Sequence, residues 1–267
     1  MTTNIIINGA CGKMGREIAA VALEDAECGL AGCVEQASHP AVGKDYGSVT
    51  GLEAKGVTVA AAVAGLAIDK SVILDFTSPK ASLSLLDAVE GKQARLVIGT
   101  TGFDEAQTAR IEAAAKKIPI VFGPNMSLGI NLLFMLTELV AKKLGGTFDI
   151  EIIEAHHRMK KDAPSGTAHR LGEIAAAATG TTYGEAVKNG RSGMVGERTK
   201  KEIGMHAVRG GDIVGDHTVL FAGQGERLEL RHVAHSRATL ARGAVAAAKW
   251  LGGRKPGLYT MRDVLGL

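Results

Sequence analysis

Five apolar segments separated by helical ones fill the first half of the chain, and this alternation constrains the fold more than any other feature. Each segment is apolar and mostly β-branched: NIIIN (4–8), GLAGCVE (29–35), SVILDF (71–76), RLVIGTT (95–101) and IPIVFG (118–123). Helices are predicted over residues 80–90 and 104–117, the second with a capping box of Asp104 and Gln107. Apolar strands that alternate with helices predict a parallel sheet covered on both faces.

The pattern changes after Asn131. A predicted helix runs to Leu144, and few helices separate the strands that follow, which are FDIEIIEA, EIGMHAVRG, DIVGDHTVLFAG and ERLELRHVAH. An Ala-rich helix is predicted over residues 237–251. The predicted fold class is α/β. An N-terminal Rossmann-like dinucleotide-binding domain covers residues 1–127, and a C-terminal α+β domain with a mixed, largely antiparallel sheet covers residues 128–236.

Composition narrows the class of protein. The chain is 46% hydrophobic and 22% charged, which is typical of a soluble globular protein, and its net charge of +3 does not indicate nucleic-acid binding. No run reaches the ~18 apolar residues of a membrane span. The start, MTTNIIING, lacks a basic segment and predicts no signal peptide. The 3 cysteines have no CxxC spacing, which favours free thiols in the cytoplasm.

GACGKMG, residues 9–15, follows the first strand directly and opens the first helix. Residues without a Cβ let the backbone approach a pyrophosphate, and the unpaired N–H groups of a helix start can bind that anion. Glu35 ends the second predicted strand, where a carboxylate can accept hydrogen bonds from a ribose. A P-loop is excluded because no Gly-Lys-Ser/Thr occurs here. We predict a dinucleotide site, with a plain βα turn as the alternative.

Two later loops leave strands at the same predicted edge of the sheet. They are GTTGF, residues 99–103, and FGPNMS, residues 122–127. Ligands of doubly wound sheets bind beyond the carboxyl ends of the strands. We predict that these loops contact the nicotinamide half of the dinucleotide. Ordinary loop chemistry is the alternative.

The segment EIIEAHHRMKKDAPSGTA, residues 151–168, concentrates cations and titratable rings. A strand over residues 149–154 is predicted to deliver His156 and His157 to a loop, and Ser165 to Thr167 then begin a helix. Helix-start amides can bind a carboxylate, and histidine exchanges protons near neutral pH. The segment therefore predicts a pocket for a small anion that receives a proton. A solvated basic loop is one alternative. Metal is disfavoured because neither a His-Glu-x-x-His motif nor a cysteine pair occurs here.

This segment resembles the signature of the 4-hydroxy-tetrahydrodipicolinate reductases, also called dihydrodipicolinate reductases, of lysine biosynthesis. The resemblance spans nearly the whole chain, through GACGKMGREI, LDFTSP, VIGTTGF, VRGGDIVGDHTVLF and MRDVL. It implies reduction of the cyclic product of the preceding synthase, in the diaminopimelate route, with NADH or NADPH. It also implies that the closing segment, residues 237–267, packs on the first domain. Two ligands held on two domains would favour domain closure.

Residue roles carried over from the family fall into three groups. His156 matches the proposed proton donor or acceptor, and Lys160 the proton donor. The substrate-binding positions correspond to His157, Gly166 and Thr167. The cofactor-binding positions correspond to Gly9, Ala10, Cys11, Gly12, Lys13, Met14, Glu35, Gln36, Gly99, Thr100, Thr101, Gly123, Pro124, Asn125 and Met126. No metal is implied.

The chain departs from many relatives at Gln36, where they carry an arginine that can meet a 2′-phosphate. Glu35 repels that phosphate, and an uncharged Gln36 does not offset the repulsion. Lys13 is the one nearby cation that the sequence offers. We therefore predict that NADH is preferred or used equally, with NADPH accepted. Met159, where some relatives have a histidine, is expected to be harmless.

The expected partners are a small dicarboxylate substrate and further copies of the chain. The strand-rich run 202–233 has open edges that favour a homotetramer. Nucleic acid and membrane are not expected. Two other classes remain as alternatives. One is another Rossmann dehydrogenase, of the homoserine or aspartate type, and the other is a non-catalytic nucleotide sensor. Neither class requires the histidine-lysine loop.

Overall fold

A computed structural model describes residues 2–267. The chain forms two compact units. The first unit ends at Leu128 and includes Ala238–Leu267, and the second unit is Gly129–Arg237. No helix within the described residues is both long and apolar enough to cross a membrane.

The first unit contains a seven-stranded sheet in which every paired strand is parallel to its neighbours. The strands, in spatial order, are β12 (Gly257–Tyr259), β6 (Pro119–Phe122), β5 (Leu96–Ile98), β4 (Ser71–Asp75), β1 (Thr3–Asn8), β2 (Cys28–Val34) and β3 (Val59–Ala60). The predicted parallel sheet is confirmed. The short edge strands β3 and β12 were not predicted, and β5 is shorter than predicted because residues 99–101 leave the sheet.

Helices cover both faces of this sheet, so apolar strands have a core on each side. They are α1 (Lys13–Glu24), α2 (Tyr46–Thr50), α3 (Pro79–Val89), α4 (Glu105–Ala115), α8 (Ala238–Leu251) and α9 (Met261–Val264), with a 3₁₀ turn at Ile68–Lys70. The predicted capping box of Asp104 and Gln107 is present at α4. α8 packs against α1 on one face, and α3 packs against α4.

The second unit contains a five-stranded mixed sheet, as predicted. The strands, in spatial order, are β11 (Arg227–Ala234), β10 (Gly215–Ala222), β7 (Asp149–His156), β9 (Ile203–Arg209) and β8 (Val187–Asn189). β10 is antiparallel to both β11 and β7, whereas β7 and β8 are parallel to β9. The helices of this part are α5 (Leu128–Leu144), α6 (Gly166–Ala178) and α7 (Tyr183–Ala186).

The alternation of side chains gives this sheet two different faces. One face carries Ile152, Met205 and Val219 into an apolar core with α5 and α6. The opposite face carries Glu151, Ile153 and other partly exposed side chains. We call it the open face, and its positions are 151, 153 and 155 of β7, 204, 206 and 208 of β9, 216, 218, 220 and 222 of β10, and 227, 229, 231 and 233 of β11.

Candidate active site

The glycine turn is held by close contacts within the first unit. Gly9 has a φ of +74°, and a Cβ there would lie 2.5 Å from Cγ2 of Thr77. A Cβ at Gly15 would lie 2.3 Å from the carbonyl oxygen of Gly9. Gly12 precedes α1 without a side-chain cap, so the first amides of the helix have no side-chain acceptor there. This geometry fits an anion at the helix start.

Glu35 lies immediately after β2, and its carboxylate accepts a hydrogen bond from the glycine turn. Its Oε1 accepts from the Cys11 amide at 2.9 Å, and its Oε2 accepts from the Gln36 amide at 3.3 Å. Ala10 is buried, with its carbonyl oxygen 3.0 Å from the Tyr46 hydroxyl. The structure thus brings residues 9–14 together with Glu35 and Gln36, as the dinucleotide prediction requires.

A cleft of ≈ 520 Å³ opens beside Glu35 and Gln36. Its wall includes Gly9 and Thr77, and Lys80 on the first turn of α3 also lines it. Lys13, the cation that the sequence suggested, is exposed and is not among the residues lining this cleft. The cation beside Glu35 and Gln36 is therefore Lys80, which sequence reasoning missed because α3 begins far along the chain.

A buried carboxylate, Asp75, lies beneath the loops that follow β4 and β5. Asn8 donates to its Oδ1 at 2.8 Å, Thr77 donates to Oδ1 at 2.7 Å, and Thr100 donates to Oδ2 at 3.1 Å. Ser82 of α3 also donates to Oδ2. The Thr100 hydroxyl in turn accepts from the Thr77 amide at 2.9 Å. Asp75 therefore ties together the ends of three neighbouring strands.

The remaining predicted cofactor residues follow β5 and β6 at the same edge of the sheet. The Phe76 ring packs on Gly99, because a Cβ there would lie 2.1 Å from it, and the Thr101 side chain is exposed. The segment from Gly123 to Met126, including Pro124 and Asn125, leaves β6. Its Met126 is buried and packs against α8, where a Cβ at Gly243 would lie 1.7 Å from the Met126 carbonyl oxygen.

In the second unit, His156 is the last residue of β7 and not a loop residue, because the ladder to β9 continues to it. Its Nδ1 lies 2.6 Å from Oε2 of Glu154, which is fully buried. Arg209 donates to both oxygens of Glu154 at 2.8 Å. Although burial would raise the pKa of Glu154, the hydrogen bonds from Arg209 and His156 lower it. Glu154 is therefore an ionised carboxylate at neutral pH.

The start of α6 adjoins this carboxylate. The Ser165 amide donates to Oε1 of Glu154 at 3.0 Å, and the Ser165 side chain caps α6 by accepting from Ala168 at 3.2 Å. The Ser165 hydroxyl also lies 3.1 Å from Nε2 of His217. Burial lowers the pKa of His217 to about 4, so its ring is neutral at pH 7. Gly166 and Thr167 are the first residues of the capped helix, and the Gly166 position is exposed.

His157 and Lys160 lie in the loop that follows β7. Nδ1 of His157 is buried and has no hydrogen-bond partner within residues 2–267. Lys160 Nζ forms an ion pair with Asp162 at 2.9 Å, and this hydrogen bond lowers the pKa of Asp162. The described residues contain no group of three His, Cys, Asp or Glu side chains able to hold a metal ion. The second unit thus gathers every residue predicted for catalysis and substrate binding.

Comparison with known proteins identifies the family. The model of the dihydrodipicolinate reductase N-terminus matches residues 3–126, and that of the dihydrodipicolinate reductase C-terminus matches residues 129–265. The chain belongs to the dihydrodipicolinate reductase family. It is therefore an oxidoreductase, and its N-terminal domain supports the use of NAD(P)H.

Relatives and a solved structure agree with this assignment. The 4-hydroxy-tetrahydrodipicolinate reductase of Thiobacillus denitrificans is 51% identical, with 100% of both chains covered. The enzyme of the same name from Geotalea uraniireducens is 49% identical, with 98% of each chain covered. The fold matches that of a dipicolinate-bound dihydrodipicolinate reductase from Paenisporosarcina sp. TG-14, with a TM-score of 0.78, 24% identity, and 97% and 98% of the two chains covered.

Proposed function

We propose that His156 and Lys160 handle the proton when this reductase converts 4-hydroxy-tetrahydrodipicolinate to tetrahydrodipicolinate. The observation that carries these roles is the cluster around Glu154. It fixes one nitrogen of His156 and anchors the amide of Ser165 at the start of α6. A proton-exchanging ring and an anion-binding helix start are thereby held by a single buried carboxylate.

The substrate carboxylates are expected to bind at the start of α6. The solved relative binds dipicolinate, a small dicarboxylate. In this chain, the first amides of α6, near Gly166 and Thr167, provide donors, and the unpartnered Nδ1 of His157 provides another polar atom. Lys160 adds positive charge to the same loop. These groups orient an anion and leave Nε2 of His156 for proton exchange.

A bound NADH or NADPH supplies the hydride. The residues of the first unit fit this group, because no side chain caps the first amides of α1 and Glu35 stands against the glycine turn, where a ribose acceptor is needed. Pyrophosphate would be held by the first amides of α1. Adenosine would lie in the cleft beside Glu35, Gln36 and Lys80.

One coupled assay tests the reaction. Purified protein is mixed with NADH and the product of the preceding synthase, and oxidation of the cofactor is followed by the loss of the reduced nicotinamide absorbance. Parallel mixtures contain NAD⁺ with homoserine or NAD⁺ with aspartate, which are hydride donors, and reduction of the cofactor is followed there. Turnover only with the synthase product supports the proposal. Turnover with homoserine or aspartate indicates a different dehydrogenase, and binding of NADH without turnover indicates a nucleotide sensor.

The roles of the loop residues separate in steady-state kinetics. Lys160→Ala is expected to lower kcat by roughly 10²–10⁴-fold, the usual contribution of a general acid, without changing cofactor affinity. His157→Ala is expected to raise KM more than it lowers kcat, because its role is binding. A Lys160→Ala variant with near-normal kcat would remove Lys160 from the proposal.

We propose that NADH is preferred or used equally and that NADPH is accepted. The Glu35 carboxylate disfavours a 2′-phosphate, and Gln36 adds no charge to offset it. Lys80 lines the same cleft, and we expect it to be the cation that meets a 2′-phosphate. A strong preference of the unaltered enzyme for NADPH, measured as kcat/KM with both cofactors, would contradict this account.

We propose a homotetramer assembled through the open face. Ile153, Val208 and Val233 lie on this face and are 37%, 49% and 37% exposed. Apolar side chains on a sheet face without a covering helix favour burial against another copy. Light scattering at micromolar concentration is expected to give the mass of four chains. A stable monomer would reject this assembly.

A further inference from the structure

We infer that Glu154 is a positioning residue, which holds His156 in the tautomer that leaves Nε2 free to exchange a proton. This inference rests on the proposed role of His156 in the reaction. Glu154 and Arg209 would then act on the reaction through His156 and not by binding the substrate.

Four donors fill the acceptor sites of the Glu154 carboxylate. Oε1 accepts from Arg209 Nη2 at 2.8 Å and from the Ser165 amide at 3.0 Å. Oε2 accepts from Arg209 Nη1 at 2.8 Å and faces Nδ1 of His156 at 2.6 Å. Glu154 is 0% exposed, so water does not replace any of these donors. An ionised carboxylate has no proton to donate, and so His156 Nδ1 must carry the hydrogen.

The register of the sheet produces this arrangement. His156 of β7 is paired with Arg209 of β9, and Glu154 of β7 is paired with His217 of β10. These positions share the face that carries the apolar core, because paired residues point to the same side of a sheet. The cluster therefore lies on rigid strands, and the orientation of the His156 ring is fixed by the fold.

A glycine lies beside the Nε2 side of His156. Nε2 faces Gly215, the first residue of β10, where an added Cβ would lie only 3.0 Å away. The glycine makes room beside the nitrogen that must exchange a proton. In this geometry the ring donates its Nε2 proton and returns to the neutral form with its remaining hydrogen on Nδ1, held by Glu154.

Other charged and titratable groups around His156 leave Glu154 as its anionic partner. From β10, His217 contacts the ring edge-on at a centroid distance of 5.2 Å, and burial lowers the pKa of His217 to about 4. From β11, burial lowers the pKa of His232. Arg209 of β9 pairs with Glu154, and Lys160 of the following loop pairs with Asp162. The positive charge of Arg209 compensates Glu154 and keeps it ionised.

Glu154→Gln tests the tautomer because an amide cannot satisfy all four donors. Its NH₂ group must face either the Oε1 side or the Oε2 side. On the Oε1 side it meets the Ser165 amide, whose hydrogen cannot move. On the Oε2 side it meets His156, which can accept at Nδ1 by carrying its hydrogen on Nε2 instead. The variant is therefore expected to hold the opposite tautomer of His156, in which loss of the Nε2 proton is disfavoured.

The first measurement needs no variant of Glu154. Nitrogen-15 spectra of the histidine-labelled full chain report which ring nitrogen carries the hydrogen, and His156→Asn identifies the His156 signals by their disappearance. We expect the neutral His156 ring to be protonated on Nδ1. A ring protonated on Nε2 would overturn the inference, whatever the activity of the protein.

The second measurement is a double-mutant cycle in kcat between Glu154→Gln and His156→Asn. Glu154→Gln is expected to lower kcat by about 10²-fold, at the low end of a general acid's contribution. It is also expected to move the alkaline limb of the pH profile of kcat to lower pH. In the His156→Asn background it should have almost no further effect. Equal losses in both backgrounds, or an unchanged kcat, would refute positioning. A near-normal kcat of His156→Asn alone would instead refute the proposed role of His156.

Discussion

Glu151→Gln removes the charge at the centre of an ion-pair cluster on the open face. Arg191 donates to both oxygens of Glu151 at 2.9 and 3.1 Å, Arg198 donates to Oε1 at 2.9 Å, and Nε2 of His206 lies 2.7 Å from Oε2. The cluster fixes Arg191 and Arg198 of the segment after β8 to the strand β7. Glutamine keeps the shape of the side chain and removes its charge.

The magnitude follows from the pKa of Glu151. Burial alone would raise this pKa, but the hydrogen bonds from Arg191, His206 and Arg198 prevail and lower it from 4.5 to about 2. At ~1.4 kcal/mol for each pKa unit, the charge contributes about 3 kcal/mol to the free energy of unfolding at pH 7. A lowered pKa gives stability that is complete above about pH 4.5 and is lost as the pH falls towards 2. Near pH 3 about 1 kcal/mol remains.

The assay is urea unfolding of both proteins at pH 7 and pH 3, at one protein concentration. Hydrogen exchange of peptides from β7 and β9 shows that any loss lies in the second unit. The matched control is Glu173→Gln on α6, away from the open face, whose partner Arg170 is exposed, and it should cost less than about 1 kcal/mol. Equal losses for the two variants at pH 7, or a loss at Glu151 that does not shrink with acid, would refute the reasoning.

Three further variants, two of them with a matched control variant, test the cofactor cleft and the proton-transfer geometry. Gln36→Arg should shift kcat/KM towards NADPH by about tenfold, because guanidinium binds phosphate through two donors. Lys80→Gln should lower kcat/KM for NADPH by about tenfold and leave kcat/KM for NADH unchanged, because it removes a cation beside the 2′-phosphate. Lys13→Gln, its control, should change kcat/KM for both cofactors equally. Equal losses with both cofactors in Lys80→Gln would exclude Lys80 as the phosphate-binding cation. Gly215→Ala should lower kcat by about tenfold, because the added methyl group would displace the His156 ring and a misplacement of ~1 Å can cost 10²-fold. Gly210→Ala, whose added methyl group would meet open space, should leave kcat unchanged.

Features that depend on residues close together in the chain could be predicted from the sequence. The parallel sheet follows from apolar strands separated by helices, and the capping box at Asp104 follows from a three-residue spacing. The histidine-lysine loop is also contiguous, so its residues could be found together. These predictions depend on local periodicity and hydrogen bonding, which operate over a few residues.

The partners of the buried carboxylates were not predictable. Glu154 occurs in an apolar strand, and its partner Arg209 lies on another strand, so only the register between β7 and β9 brings them together. Asp75 depends in the same way on Thr100. The extension of β7 to His156 has the same origin, because its ladder to β9 continues past the local apolar pattern.

The glycine turn shows why a correct motif can have more than one physical cause. Gly9 must lack a side chain because the methyl group of Thr77 lies against it. The hydroxyl of the same threonine donates to Asp75, which holds that side chain in place. Gly15 must lack one because α1 packs on the Gly9 carbonyl. Both contacts lie within the protein and would require glycine even without a dinucleotide. The glycine spacing alone is therefore weak evidence for a cofactor, and the discriminating feature is the Glu35 carboxylate placed against the turn beside an open cleft.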